Sequence, residues 1–265
     1  MTTQALSDTT WTRAVLNKVP DVTILFWVVK ILSTTVGETA ADYLNENLGL
    51  GLSATTALMS LLFVAVLVWQ VSTTRYIPAV YWLTVVLVSV VGTLFSDNLV
   101  DNLGVSLYTS TAVFAVCLAC AFSGWYRSEG TLSIHTIVTR RREAWYWATI
   151  LFTFALGTSA GDLLSEKLAL GYVAAALIFG AVIVVIAGAH FGFRLNAVLA
   201  FWAAYVMTRP FGASIGDLLT APRGDGGLAL GTNGTSALFL VVIVGIVVWF
   251  TRQSRLSRQS TDLAR

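Results

Sequence analysis

Eight apolar segments alternate with short polar connections along the chain. The pattern predicts helices over 21–44, 53–72, 77–100, 105–126, 143–166, 170–190, 195–219 and 232–252. Each segment is close to the roughly 20 residues that an α-helix needs to cross the hydrocarbon of a bilayer, and several are long enough to require tilt. The fold class predicted is an all-α polytopic membrane protein with eight transmembrane helices.

One motif recurs in the four odd-numbered segments with the same spacing each time. A Trp is followed ten residues later by a Gly and fifteen residues later by an Asp. The copies are Trp27, Gly37 and Asp42; Trp82, Gly92 and Asp97; Trp147, Gly157 and Asp162; and Trp202, Gly212 and Asp217. Each copy begins a unit of two predicted helices, so the four units share one orientation and form parallel repeats about an axis along the membrane normal.

The distances between successive Trp residues divide the chain into two halves. They are 55, 65 and 55 residues, and the ten additional residues fall in the middle connection. The predicted organisation is a tail (1–20), a first half (21–126), a linker (127–142), a second half (143–252) and a second tail (253–265). Within the linker, residues 131–138 alternate between apolar and polar, which predicts a stretch lying along the membrane surface.

The basic residues outside the helices predict the topology. Twelve of the fourteen lie in the tails and in the connections on the same side as the tails, and the other side holds Lys167 and Arg223. Lys and Arg accumulate on the cytoplasmic side of membrane proteins. Both tails are therefore expected in the cytoplasm, which agrees with an even number of helices.

Composition narrows the functional classes. The chain is 56% hydrophobic and 11% charged, with a mean hydropathy of +0.77, whereas a soluble domain carries about 25% charged residues. Two Cys and two His are too few for a disulfide framework or a Cys/His zinc site. The sequence has no nucleotide-binding loop, nucleophile elbow or metalloprotease motif. We expect neither an enzyme nor a cofactor, and no nucleic-acid partner.

Four tandem two-helix units that share a Trp resemble a family of bacterial membrane proteins known as a repeat of unknown function. The resemblance covers about residues 21–252 and depends on the fourfold recurrence of the motif. It implies the eight-helix fold and a location in the bacterial inner membrane. It implies no particular activity.

Small residues predict which helices meet. In each copy the residue four after the Gly is also small, and residues four apart lie on one helix face. The pairs are Gly37/Ala41, Gly92/Ser96, Gly157/Gly161 and Gly212/Gly216. Such pairs let helix backbones approach closely in a membrane, so we expect the odd helices to be central and the even helices peripheral. The Trp residues suit anchoring at the membrane interface.

The repeated acids are the first candidate for chemistry. The residue after the Gly lies on the same helix face as the Asp four later, which pairs Glu38 with Asp42, Thr93 with Asp97 and Thr158 with Asp162. A further acid follows in three copies: Glu46, Asp101 and Glu166. Carboxylate and hydroxyl oxygens suit a cation site, a divalent metal included, or a proton relay. The alternative is that each Asp only caps the end of its helix.

Departures from the symmetry are the second candidate. Lys30 and Glu38 occur only in the first copy, and Arg209 and Pro210 only in the fourth. Five acids and two bases in the membrane leave a formal charge of −3, which favours cations or protonated carboxyl groups. Intramembrane charges near a broken helix are common at transport sites. The alternative is a buried ion-pair network that holds the helices together.

Two classes of function follow. The first is a transporter of a small cation, or of a solute coupled to protons, through an acidic polar centre on helices 1, 3, 5 and 7. The second is a scaffold, sensor or partner subunit whose polar centre is structural. The expected partners are the lipid bilayer and a small cation or proton, and the pattern is also compatible with a homo-oligomer.

Overall fold

The computed structural model describes residues 17–47 and 49–263. Residues 1–16 of the predicted N-terminal tail, Arg265, and the side chains of Glu46, Arg255 and Arg258 lie outside this description. The described residues form eight α-helices and no strand. They are α1 (Ile24–Asp42), α2 (Leu52–Ser72), α3 (Pro78–Asp97), α4 (Leu107–Glu129), α5 (Arg140–Asp162), α6 (Gly171–Phe193), α7 (Ala197–Thr220) and α8 (Thr232–Leu263).

The helix bounds agree with the apolar pattern except at three features. Helices α1, α3 and α5 each end at the repeated Asp and continue into a π-helical turn: Tyr43–Asn47, Asn98–Asn102 and Leu163–Lys167. Helices α4 and α5 leave only residues 130–139 as the linker, which includes a 3₁₀ turn at Ile134–Thr136. Helix α8 continues through 253–263, which the sequence assigned to a tail.

Local chemistry explains where several helices begin and end. Thr23, Ser106, Thr139 and Asn196 stand before α1, α4, α5 and α7, and each side chain accepts a backbone N–H of the first turn. Ser, Thr and Asn are favoured there because they satisfy these donors. Pro78 opens α3, where its fixed φ suits the first turn, and Gly130 ends α4 in a left-handed conformation.

Seven helical stretches of the described chain are long and apolar enough to cross a membrane. Helix α7 is not among them, and it carries Arg209, Pro210 and Asp217. The polar side chains of α7 face the protein interior, so the low apolar content of α7 reflects its place in the bundle.

The four odd helices form a closed central ring. Helix α1 packs on α3, α3 on α5, α5 on α7, and α7 on α1. Each even helix lies outside the ring against the next odd helix, so that α2 packs on α3, α4 on α5, α6 on α7 and α8 on α1. The odd helices hold most of the buried residues, which agrees with their predicted central place.

Glycine makes the ring possible. At Gly37, Gly92, Gly157 and Gly212 an added Cβ would come within 3.0 Å of the next odd helix. The contacts are Gly37 with Ser89, Gly92 with Phe154, Gly157 with Arg209 and Gly212 with Thr34. Each partner lies three residues before the Gly of its own repeat, so the ring has a fourfold pseudosymmetry.

The second Gly of the pairs in repeats three and four is packed less closely than the first. A Cβ added at Gly161 would meet no described atom nearer than 3.8 Å, which is ordinary van der Waals contact. One added at Gly216 would lie 3.3 Å from the Thr35 side chain and 3.6 Å from Glu38, so a shift of a few tenths of an ångström would admit it. Gly161 and Gly216 thus lie in the predicted contacts, and the closest approach is at Gly157 and Gly212.

Neighbouring odd helices run parallel to each other. Ser89 donates a hydrogen bond to the Thr34 carbonyl (3.4 Å), and one turn further along both helices Thr93 donates to Glu38 (3.1 Å). The contacts therefore advance in the same direction on α1 and α3. The sequence prediction of four parallel two-helix repeats is consistent with this order.

The Trp residues and the linker are packed differently from expectation. Trp82, Trp147 and Trp202 are buried, and only Trp27 is half-buried. Aromatic rings from successive odd helices meet here, such as Tyr81 against Trp147 at 5.5 Å, so these Trp residues join helices to one another. The linker does not lie along the surface as predicted. Its side chains Ile134 and Ile137 are buried and belong to the main hydrophobic core.

Candidate functional site

A stripe of every fourth residue faces the centre of the ring on each odd helix. On α1 the stripe is Phe26, Lys30, Thr34, Glu38 and Asp42, and all but Asp42 are buried. Steps of four residues correspond to about 6 Å along an α-helix. The parallel helices therefore stack their stripes in layers along the axis of the ring.

The central layer is a hydrogen-bonded cluster around Arg209. Its Nη2 lies within hydrogen-bond distance of the Glu38 carboxylate (2.6 Å), the Thr158 hydroxyl (2.6 Å) and the Thr93 hydroxyl, which share its two N–H groups. Its Nη1 donates to the Thr34 carbonyl at 3.4 Å. The three side chains that accept from Arg209 are the residues that follow the Gly in repeats one, two and three. We call Glu38, Thr93, Thr158 and Arg209 the axial cluster.

Lys30 lies two steps along the α1 stripe from Glu38 and is fully buried. Its Nζ donates to the Tyr205 carbonyl at 3.1 Å and lies over the rings of Tyr205 and Phe154, at 4.4 and 4.9 Å from their centroids. Arg209 lies 5.6 Å from the centroid of Phe154. Among the described residues no carboxylate comes within ion-pair distance of Lys30, so aromatic faces and a carbonyl surround this amine.

The repeated acids form the outer layer. Asp42, Asp97, Asp162 and Asp217 are each half-buried. Asp97, Asp162 and Asp217 interact electrostatically with both Asp42 and Glu38. These side chains are partly enclosed by protein and keep some accessible surface. We call the four Asp residues the acid layer.

Asp97 and Asp162 each stand at the start of a π-helical turn. Within the described part of the chain the side chains of Asp97 and Asp162 make no capping hydrogen bond, and the backbone continues as helix past both. The described residues also contain no group of three or more His, Cys, Asp or Glu side chains arranged to hold a metal ion.

The structure brings most of the predicted site together and leaves some of it out. Lys30, Glu38, Arg209 and the two Thr residues converge on the axis. The further acids Asp101 and Glu166 are exposed, and they interact electrostatically with the repeated Asp residues. Sequence reasoning did not identify the buried Phe154, whose ring lies against both cations. Its only signal was its place three residues before Gly157, a spacing that Arg209 shares in the fourth repeat.

A groove lies away from the axis. It has a volume of about 580 Å³ and opens between α1, α6, α7 and the linker. Its walls are mainly apolar and include Trp27, Ile31, Leu132 and Phe201. None of the axial cluster lines the groove, so it offers no direct route to Arg209 in this conformation.

The comparisons with known proteins agree with the fourfold pattern. A family model described as a repeat of unknown function (DUF347) matches residues 25–76, 80–131, 145–195 and 200–255. Each match contains one copy of the Trp, Gly and Asp motif, which confirms the resemblance stated from the sequence. No curated protein and no solved structure matches the chain.

Proposed function

We propose that this chain, which belongs to the family of the repeat of unknown function DUF347, is a membrane transporter of a small cation. The observation that carries the proposal is the layered order of charge along the axis. Half-buried carboxylates at one end of the ring lead to a single buried carboxylate, Glu38, at its centre. Buried ionisable groups are costly in a membrane and are commonly retained for ion pathways or proton relays.

The acid layer would attract and partly dehydrate an incoming cation. Four carboxylates close to one another concentrate positive ions near them, because their fields add. Beyond them, Glu38 is the next acceptor on the axis. Arg209 occupies that acceptor in this conformation, so transport requires Arg209 to leave Glu38 as the cation arrives.

A structural role for the polar centre is the competing proposal. Arg209 and Lys30 are fully buried and fill the axis at their layers, as the core of a scaffold, sensor or partner subunit would. Against it stands the charge balance, since Glu38 pairs with Arg209 and the described residues give the buried Lys30 no carboxylate partner. A network that only held helices together would be more stable with matched charges.

The proposed orientation places both tails in the cytoplasm of a bacterial inner membrane. The distribution of Lys and Arg supports it, with twelve of fourteen non-membrane bases on the side of the tails. Reporter fusions at residue 1 and residue 265 should both report the cytoplasm. A periplasmic signal from either end would overturn this topology.

Flux measurements test transport. Purified protein in liposomes is tested against alkali, divalent and guanidinium cations, with a trapped pH dye to detect coupled protons. Wild type should pass at least one cation, and Glu38→Gln should abolish that flux per reconstituted molecule. Val184→Leu, on the exposed face of α6, is the matched control and should leave flux unchanged. Absence of flux for every cation would favour the structural role.

A further inference from the structure

The acceptors around Arg209 form a set that α7 itself does not contribute to. Glu38, Thr93 and Thr158 come from α1, α3 and α5, one from each of the first three repeats. The equivalent residue of the fourth repeat is Ala213, which supplies no acceptor. Helix α7 brings the cation, and the other three odd helices bring the groups that bind it.

We infer that Glu38, Thr93 and Thr158 form a binding site for a free guanidinium-type cation, which Arg209 occupies in this conformation. The site is complete without α7, so a diffusible cation of the same shape has the same acceptors available once Arg209 has moved. The inference rests on the proposed function in one respect: such a cation would be the transported species.

The chemistry of the site favours planar N–H donors. One carboxylate, two hydroxyls and the Thr34 carbonyl accept hydrogen bonds from one guanidinium group. The ring of Phe154 lies against the same group, and aromatic faces stabilise guanidinium well. A divalent metal commonly takes six or more oxygen ligands, several of them charged, and the site offers one carboxylate.

Two features of α7 suit the release of Arg209. Pro210 has no backbone N–H, so the carbonyl of Val206 loses its usual helical partner next to the arginine. The Nε of Arg209 is buried and has no hydrogen-bond partner among the described residues. Arg209 is therefore held through its two Nη atoms and not through its Nε. The helix that carries it lacks one backbone hydrogen bond at Pro210.

Chemical rescue tests the inference without requiring transport. Arg209→Met keeps an unbranched apolar stem beside Gly157 and empties the cation site. The melting temperature of the purified variant is measured in detergent with guanidinium, methylguanidinium or tetramethylammonium chloride at low millimolar concentration. Guanidinium and methylguanidinium should raise it by about 5 °C, as expected for a ligand that binds only the folded state. Tetramethylammonium, which has no N–H, should not.

Controls separate the site from a general salt effect. Wild type and the double variant Arg209→Met/Glu38→Gln should show no rise, because the site is occupied in one and lacks its carboxylate in the other. If Arg209→Met can be purified only when guanidinium is present, that result also supports the site. The inference is overturned if all salts act alike, if the double variant responds equally, or if Arg209→Met is lost with and without guanidinium.

The flux experiment tests transport, and the rescue experiment tests the guanidinium site, so a negative result in one does not decide the other. Rescue without flux would leave a guanidinium site in a protein that does not transport. Flux of another cation without rescue would support the transporter and overturn the guanidinium site. A wild-type protein that carries guanidinium, together with a rescued Arg209→Met, is the outcome expected.

Discussion

Two buried ion pairs in the described part of this protein have almost the same length and different surroundings. Glu38 and Arg209 are 2.6 Å apart on the axis, and Lys18 and Glu143 are 2.7 Å apart at the linker end of the ring. We call the second one the tail pair. Their nearly equal lengths do not distinguish their roles, so the comparison depends on the charged and polar groups around each pair.

The tail pair is balanced and joins separate segments of the chain. Glu143 also accepts from Gln70 at 3.2 Å, and Lys18 also donates to the Val71 carbonyl at 3.0 Å. One ammonium and one carboxylate thus connect the N-terminal segment, α2 and α5. The backbone N–H of Lys18 donates to the Ile137 carbonyl as well, so the tail pair holds the linker under the ring.

The axial cluster lacks this balance. Lys30 adds a second buried cation close to Arg209 without a second carboxylate. Uncompensated buried charge is expensive, so the axial arrangement is a poor device for stability alone. The comparison predicts that breaking the tail pair affects mainly folding, and that changing the axial cluster affects ion movement.

Gly157→Leu should have the largest effect on the axial cluster. The new side chain would overlap the stem of Arg209 and Pro210 and separate α5 from α7. We expect a loss of more than about 4 kcal/mol, because overpacking combines with an unpaired buried charge. Yield and thermal melting in detergent measure the loss. Gly188→Leu on α6 is the matched control, since no described atom lies within 4 Å of a Cβ added there.

Glu143→Gln should break the tail pair and cost about 3 kcal/mol, because it leaves Lys18 buried without a counter-charge. Flux per folded molecule should remain close to that of wild type. The double variant Lys18→Met/Glu143→Leu should recover much of the stability, since apolar replacements of a buried pair are often neutral. A specific loss of flux in this double variant would assign the tail pair to transport.

Asp97→Asn should leave the melting temperature within about 2 °C of wild type, because Asp97 makes no capping hydrogen bond within the described chain. Flux should fall several-fold as the field of the acid layer weakens. Asp42→Asn and Asp217→Asn should reduce flux further, since Glu38 or Arg209 lies on the same helix. Unchanged flux in all three variants would remove the acid layer from the proposed pathway.

Thr158→Val gives the smallest effect in the series. It removes one acceptor of Arg209 and should cost about 1 kcal/mol, the usual net value of such a hydrogen bond. Thr149→Val is its control on α5, because the buried Thr149 hydroxyl has no partner among the described residues. Melting curves should rank Thr158→Val below Thr149→Val. The reverse order would show that Thr158 is not an energetically significant acceptor.

Periodic features of the sequence predicted most of the fold and part of the site. The Gly at equal spacing identified the odd helices as central, and the stripe from Lys30 to Asp42 predicted a shared helix face. These features are local, since they follow from 3.6 residues per turn. The contact between Arg209 and Glu38 depends on the packing of α7 against α1. Spacing within a single helix carries no information about that packing.

The tail pair could not be predicted for a related reason. Lys18 was counted only as a cytoplasmic base, and Glu143 only as the start of a helix. They are separated by 125 residues and lie outside the repeated motif, so neither symmetry nor spacing connects them. The burial of Ile134 and Ile137 was missed because an alternating pattern is equally typical of an interfacial segment and of a short stretch inserted into a core.

The packing of α8 on α1 has a consequence for the history of the chain. The units that pack together are an even helix and the odd helix after it, one helix out of step with the repeats of the sequence. Closure of the ring thus joins the last helix to the first, as if the chain were circular. A protein of two repeats can build the same ring as a homodimer, with each α4 packing on the α1 of the other copy. The present chain has the form expected when the gene for such a dimer is duplicated and fused through residues 130–139.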